Sequence, residues 1–150
     1  MVSVRPFLPA DAAALPALQT AQAGEMAACG DWRETAQRSG DLGPAWTACV
    51  DGRPVASAGF WLRWRGNAFA WALVGEGIPP RAWVMLHRTV MARLAELPLL
   101  HGIWRCEAWV RDGFMPGHRW VRMLGFSHEG ASPGLAPDGG TLHRYGRVWL

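Results

Sequence analysis

Gly75, Gly77 and Arg81 form the one spacing in this 150-residue chain that suggests a device for holding an anion. They follow an alternating stretch, Asn67-Ala-Phe-Ala-Trp-Ala-Leu-Val74, and lead into a helical pattern over 81–97. A strand, a short glycine loop and a helix N-terminus bring free backbone N–H groups and the helix dipole to one point. The same pattern is also that of an ordinary β–loop–α connection. Other chemistry-bearing residues are less organised. His87, His101, His118, His128 and His143 have no paired metal-ligand spacing. Cys29, Cys49 and Cys106 are odd in number and far apart, which argues against a disulfide framework and predicts reduced, buried thiols. Cys106 and His118 suggest a nucleophile pair only if the fold brings them together. Trp61, Arg63, Trp64 and Arg65 make an aromatic and basic hairpin end, suited to stacking on a base or a partner surface, or to Arg–indole stacking in an exposed turn.

The elements that must position these groups are legible from period and punctuation. Residues 2–7 read as a strand, with Pro6 placing it at a sheet edge. Asp11 reads as the N-cap of a helix over 12–23, with Pro16 distorting its first turns, and Asp31 as the cap of a short helix to about 38. Residues 45–50, 54–63 and 67–74 read as a three-strand meander, with Asp51-Gly52 as the first hairpin turn. In the helix over 81–97, Trp83, Leu86, Val90, Leu94 and Leu97 share one face, and Pro80 suits the first turn. Pro98 and Gly102 are expected to bracket a loop. A strand over 103–110, a helix over 116–124 closed by Gly125, and strands from 126 and over 142–149 complete the order.

Composition bounds the class. Half the residues are apolar and 18% are charged, which is a globular balance, and the length suits one domain, 1–150. No apolar run approaches membrane-spanning length, and the N-terminus lacks a signal-peptide core, so a cytoplasmic location is expected. All fifteen basic residues are arginine. No lysine side chain is present to form a Schiff base or act as a P-loop ligand. A net charge of +3 does not mark a nucleic-acid binder. Ten tryptophans cannot all be deeply buried, so some exposed indoles are expected to favour a protein partner.

The order β-α-α-β-β-β-α-β-α-β-β resembles the GNAT (GCN5-related N-acetyltransferase) superfamily over nearly the whole chain. Val4-Arg5-Pro6 with Pro9-Ala10-Asp11 looks like the family's first strand and helix start. Asp51-Gly52-Arg53-Pro54-Val55-Ala56 looks like the hairpin between its second and third strands, and Arg122-Met-Leu-Gly-Phe126 like its "xxLGF". The resemblance implies an α+β fold: a mixed, mostly antiparallel seven-stranded sheet flanked by about four helices. It also implies acetyl transfer from acetyl-CoA to a primary amine, on a small molecule or a protein.

On that reading Gly75, Gly77 and Arg81 hold the cofactor, and the backbone of Trp71, Leu73 and Val74 polarises the thioester carbonyl. Glu76 or Glu107 is the general base, and His118, at the start of the fourth helix, is a candidate acid or base. Two departures stand out. Pro79 and Pro80 occupy the place of amide donors, with Trp83 where a small residue admits phosphate. Val121 stands where many members carry a tyrosine acid; Tyr145, on the last strand, is the chain's one tyrosine. Gly117-His-Arg-Trp-Val-Arg-Met-Leu-Gly-Phe126, the tryptophan strand and the arginine-rich third helix also resemble small GNAT-like proteins of phages and prophages. That likeness implies the alternative of a catalytically inactive, virion-associated interaction protein.

Overall fold

The computed structural model describes residues 1–15 and 32–150. Its elements are β1 (Val2–Pro6), α1 (Pro9–Ala14), α2 (Trp32–Arg38), a 3-10 turn (Ser39–Asp41), β2 (Ala45–Val50), β3 (Arg53–Trp64), β4 (Asn67–Val74), α3 (Pro80–His101), β5 (Arg105–Arg111), α4 (Met115–Met123), β6 (Ser127–Ser132) and β7 (Leu142–Val148). The strands form one seven-stranded sheet in the order β1-β2-β3-β4-β5-β7-β6. Every neighbouring pair is antiparallel except β4 and β5. The architecture is the expected mixed α+β sheet with four helices among the described residues.

Local chemistry explains most boundaries. Asp51 and Gly52 both take positive φ, 49° and 79°, as a two-residue hairpin between right-twisted strands requires. β4 alternates as read: Ala68 packs into the core under α3, while Leu73 faces a second cluster with Phe7, Ala12, Ala36 and Ala45. Leu86, Val90, Leu94 and Leu97 of α3 are buried on the sheet. Burying such a side chain contributes roughly 1.5–3 kcal/mol.

Three expectations need correction, the first being the helix over 12–23, which instead spans Pro9–Ala14 and ends at Leu15, where the backbone turns extended. Asp11 is not an N-cap. The helix starts at Pro9 after Leu8, and Asp11 sits in its first turn, accepting the Leu8 amide at 2.8 Å. Nor does α3 stop at Pro98; it runs to His101 and ends at Gly102 with φ 62°. Pro98 removes one ladder bond in the last turn, but the Gly102 amide closes on the Pro98 carbonyl and the Ile103 amide on Leu97. The expected distortion at Pro16, the cap at Asp31 and the thiol of Cys29 lie outside the described residues. Cys49 and Cys106 are free and buried, and burial pushes the Cys106 thiol up to about 12, so it is no nucleophile at neutral pH.

Candidate active site

The site begins with a broken pairing. β4 and β5 pair in parallel over Asn67–Phe69 and Arg105–Glu107, and beyond that register they diverge. Bulky rings sit in the fork. Phe69 meets Trp109 edge-on at 5.0 Å and stacks on Trp61 at 5.3 Å. The fork opens a cavity of about 380 Å³ lined by 71–74 on one side and 108–111 on the other. On one face of the sheet it reaches Thr35 of α2, and on the other Trp83 of α3 and Trp120 of α4. The indole N–H groups of Trp61 and Trp71 are buried beside it without a hydrogen-bond partner among the described residues.

The loop that leads to α3 is poor in donors. The Gly75 amide is taken by the Val55 carbonyl at 3.0 Å. Pro79 and Pro80 have no N–H, and the Ala82 and Trp83 amides both return to the Pro79 carbonyl. Among the described residues, the Arg81 amide is the one left in the first turn, with the exposed Arg81 guanidinium beside it. Gly77 has φ 67°, and nothing lies within 4 Å of where its side chain would be. Trp83 meets Trp120 at 5.0 Å, and the Trp120 indole donates to His87 Nδ1 at 3.2 Å. These contacts pin the first turns of α3 to α4 beside the cavity.

The bond from Gly75 also sets the phase of the β3–β4 ladder. Leu73 and Trp71, in register with Ser57 and Gly59, exchange backbone bonds with β3. Their amides therefore face β3, and the Val74 amide faces the fork.

The three candidate acid–base residues stand apart, each with its own surroundings. Glu76 is exposed, in the loop between β4 and α3. Glu107 is half-buried and outside the cavity wall. Its carboxylate accepts from the Trp109 indole at 2.7 Å, Arg105 at 3.2 Å and Arg63 at 3.4 Å. Burial pushes this carboxyl up, but the indole and the two guanidiniums more than offset that and hold it below its ordinary value. Such a carboxylate is a weak base.

His118 is buried, with both ring nitrogens engaged. Nε2 lies 3.0 Å from the Arg111 carbonyl, an acceptor, so this nitrogen carries the proton. Nδ1 then accepts from the Tyr145 hydroxyl at 2.6 Å. Burial is the largest influence on His118, ahead of the carbonyl, and the nearby His143 and Arg122 add to it; its pKa is lowered. The neutral form is thus the folded form. Acidification below the unfolded value of about 6.5 protonates the unfolded chain first, so stability falls from there down to the lowered folded value. Urea midpoints between pH 7 and pH 5 are expected to show this slope in the wild type and a flatter one in His118→Leu. Equal slopes would sink the assignment.

Beside His118 lies a relay that sequence spacing does not reveal. His143 Nε2 bonds Asp112 at 2.8 Å, and His143 Nδ1 bonds His128 Nε2 at 2.8 Å. His128 and His143 meet because β6 pairs with β7, so antiparallel pairing across a loop was the signal to follow. No metal-binding group of three or more such side chains occurs among the described residues.

No family model matches the chain, and no curated protein matches it in sequence. Solved structures do. An acetyltransferase (GNAT family) from Bacillus anthracis is 14% identical, with 98% of this chain and 94% of that one covered at a TM-score of 0.72. A candidate phosphinothricin N-acetyltransferase is 19% identical, with 100% and 99% covered at 0.70. The fold is the GNAT fold. A third GNAT-fold match, a ribosomal L7/L12 alpha-N-protein acetyltransferase in complex with coenzyme A, is 11% identical, with 98% and 93% covered at 0.67. At these identities the likeness concerns the fold alone. Among the described residues, no helix of this GNAT-fold chain is long and apolar enough to cross a membrane.

Proposed function

We propose that residues 1–150 form one GNAT-like domain that transfers the acyl group of acetyl-CoA to a primary amine, on a small molecule or a protein. The observation that carries this reading is the fork: β4 and β5 part after three paired residues and leave a cavity of about 380 Å³ at the helix α3 N-terminus. The opening fits a thin apolar arm. The phosphate end is served less well, by the Arg81 amide and guanidinium and the open flank of Gly77. Acetyl-CoA supplies an activated thioester. The chain's own part is to hold the anionic end at Arg81, to exclude water with the indoles of the fork, and to take a proton from the amine. Glu76 suits that last role, since Glu107 is already held by three donors.

Calorimetry with acetyl-CoA tests this. Micromolar binding is expected, with a stabilisation of about 2.7 kcal/mol at 100 times Kd. Arg81→Ala should weaken binding about tenfold, the loss of one charge-assisted contact in a wet site. Glu76→Gln should leave binding unchanged and slow acetylation of an accepted amine by roughly 10²-fold or more.

A second reading is favoured by a specific observation. Pro79-Pro80 removes amide donors, and Trp83, Trp120 and His87 tie α3 to α4. In that reading the chain is a non-catalytic interaction protein, such as a phage or prophage component. It would meet its partner through the exposed Trp64 and Trp104. No binding at millimolar acetyl-CoA, with the fold intact, would select it.

A further inference from the structure

β6 and β7 bring two imidazoles together on one side of the sheet. His128 is in register with Tyr145, and His143 with Val110; both of those partners belong to the core under α4. His128 Nε2 and His143 Nδ1 lie 2.8 Å apart. The far end of the relay decides which of them owns the proton. The Asp112 carboxylate accepts from His143 Nε2 at 2.8 Å, so that nitrogen carries the His143 proton and Nδ1 keeps its lone pair. The bond across the pair then uses the proton on His128 Nε2.

A dication can take that proton's place. His128 then adopts its other neutral tautomer, with the proton on Nδ1, so both rings stay neutral and no proton leaves the protein. Two metal–nitrogen bonds of about 2.0–2.1 Å at a tetrahedral angle set the nitrogens about 3.3 Å apart, so the pair has to open by about half an ångström. The exposed His128 ring on edge strand β6 has that freedom. His143 is the fixed half: its side chain is 20% exposed, tied to Asp112 and edge-on to His118 at 5.1 Å. Asp112 is itself anchored, its amide donating to the Thr141 carbonyl at 3.0 Å. A carboxylate on the far nitrogen of a ligating histidine fixes the tautomer and ring orientation and makes the ligand more basic. We propose that His128 Nε2 and His143 Nδ1 are the protein ligands of a site for a divalent late first-row metal ion, Zn²⁺ or Cu²⁺, with Asp112 as its positioning residue. Imidazole nitrogens favour these ions over Mg²⁺ and Ca²⁺, which take oxygen ligands. Water fills the remaining positions, so the ion is exchangeable. None of the three residues is among the described lining of the fork cavity, and the site stands independently of the acyl-CoA reading.

The test is calorimetry on the full chain with zinc chloride at neutral pH, joined to ring-nitrogen NMR of the histidines. Binding should be saturable and one-to-one, with no response to Mg²⁺. Loss of a carboxylate partner costs about tenfold to a hundredfold in affinity, and loss of a ligand costs no less. His128→Ala and His143→Ala should therefore each weaken Zn²⁺ binding at least about tenfold, and Asp112→Ala about tenfold. His101→Ala, at an exposed histidine outside the relay, should change nothing. In wild type, Zn²⁺ should move the Nε2 resonance of His128 and the Nδ1 resonance of His143. In metal-free Asp112→Ala, His143 should lose its preference for the proton on Nε2, a change that a purely structural role would not produce. Absence of binding at millimolar Zn²⁺ overturns the proposal, as does an affinity that survives both histidine substitutions. Should a variant not fold, the wild-type spectrum decides: resonances of His128 and His143 that stay in place while Zn²⁺ binds put the ion elsewhere and overturn it.

Discussion

Replacing Arg5 with alanine is expected to destabilise the protein by about 2 kcal/mol at neutral pH, a buried-pair loss discounted for the solvent that reaches Arg5, and more than replacing Asp11 does. The two residues form a two-pronged ion pair, Nη1 to Oδ2 at 2.8 Å and Nη2 to Oδ1 at 2.7 Å. Their burial is unequal: the Asp11 side chain is 4% exposed and that of Arg5 36%. Asp11 also accepts from the Leu8 amide at 2.8 Å and from Thr47 Oγ1 at 2.7 Å, and Thr47 in turn meets Ser57 at 2.9 Å. Removing Arg5 leaves a buried carboxylate without its counter-charge. Removing Asp11 leaves an arginine that can turn to solvent, at the smaller cost of an uncapped Leu8 amide and one lost hydroxyl partner.

The pH dependence separates the two cases. Burial pushes the Asp11 carboxyl up, but Arg5, the Leu8 amide and Thr47 together reverse this and hold it below its ordinary value. In the wild type its contribution is therefore present above the unfolded value of about 3.9 and is lost as pH falls through the folded value. Without Arg5, burial dominates, the carboxyl takes up its proton at higher pH, and the penalty shrinks on acidification. Urea midpoints at pH 7 and pH 4.5 should show the gap between wild type and Arg5→Ala narrowing. A gap that stays constant would mean the loss is one of packing by the arginine stem.

Gly43→Ala is expected to cost about 3 kcal/mol, a fall in Tm of roughly 6–12 °C for a chain of this length. A side chain there would lie 1.9 Å from the Phe60 carbonyl oxygen, which is backbone and cannot rotate away. The segment cannot retreat either. The Leu62 amide bonds Leu42 at 2.8 Å on one side of Gly43, and the Phe60 amide bonds Pro44 at 2.9 Å on the other. Moving the chain breaks one or both, and these bonds extend the β2–β3 pairing toward the fork. Gly134→Ala is the comparison. Its φ is 73° but the space around it is open, so only the left-handed backbone penalty of about 1 kcal/mol applies. Equal Tm losses in the two variants would show that the Gly43 segment yields freely.

The elements most legible in the sequence are those bounded by local chemistry. The strands at 45–50 and 67–74 fall where alternation and turn residues place them. Misreadings occurred where a competing contact lay nearby. Asp11 looks like a cap because aspartate at a helix start usually is one; the fold uses it one turn inward, as the acceptor for Arg5, Leu8 and Thr47. Pro98 looks like a terminator, but the Gly102 cap satisfies the carbonyls of the last turn beyond it. The candidate site was legible in part. The spacing of Gly75, Gly77 and Arg81 suggests a place for an anion, and the missing N–H groups of Pro79 and Pro80 follow from residue type alone. The pairing of His118 with Tyr145 and the Asp112–His143–His128 relay join residues 15 to 31 apart, so no short window contains them.

The sequence alone determined the order of strands and helices, the small-and-large alternation of β4, the absence of lysine and the proline-bearing loop, because each depends on residues within a turn or two of one another. The tertiary structure decided the rest. It parted β4 from β5 and set Ala70 and Ala72 of β4 against a cavity. It also placed Glu107 among two arginines and an indole, and His118 against Tyr145 and the Arg111 carbonyl. Those outcomes depend on which faces meet across the sheet and under the helices. Such contacts form between residues far apart in the chain, where packing and pairing, and not local propensity, set the neighbours.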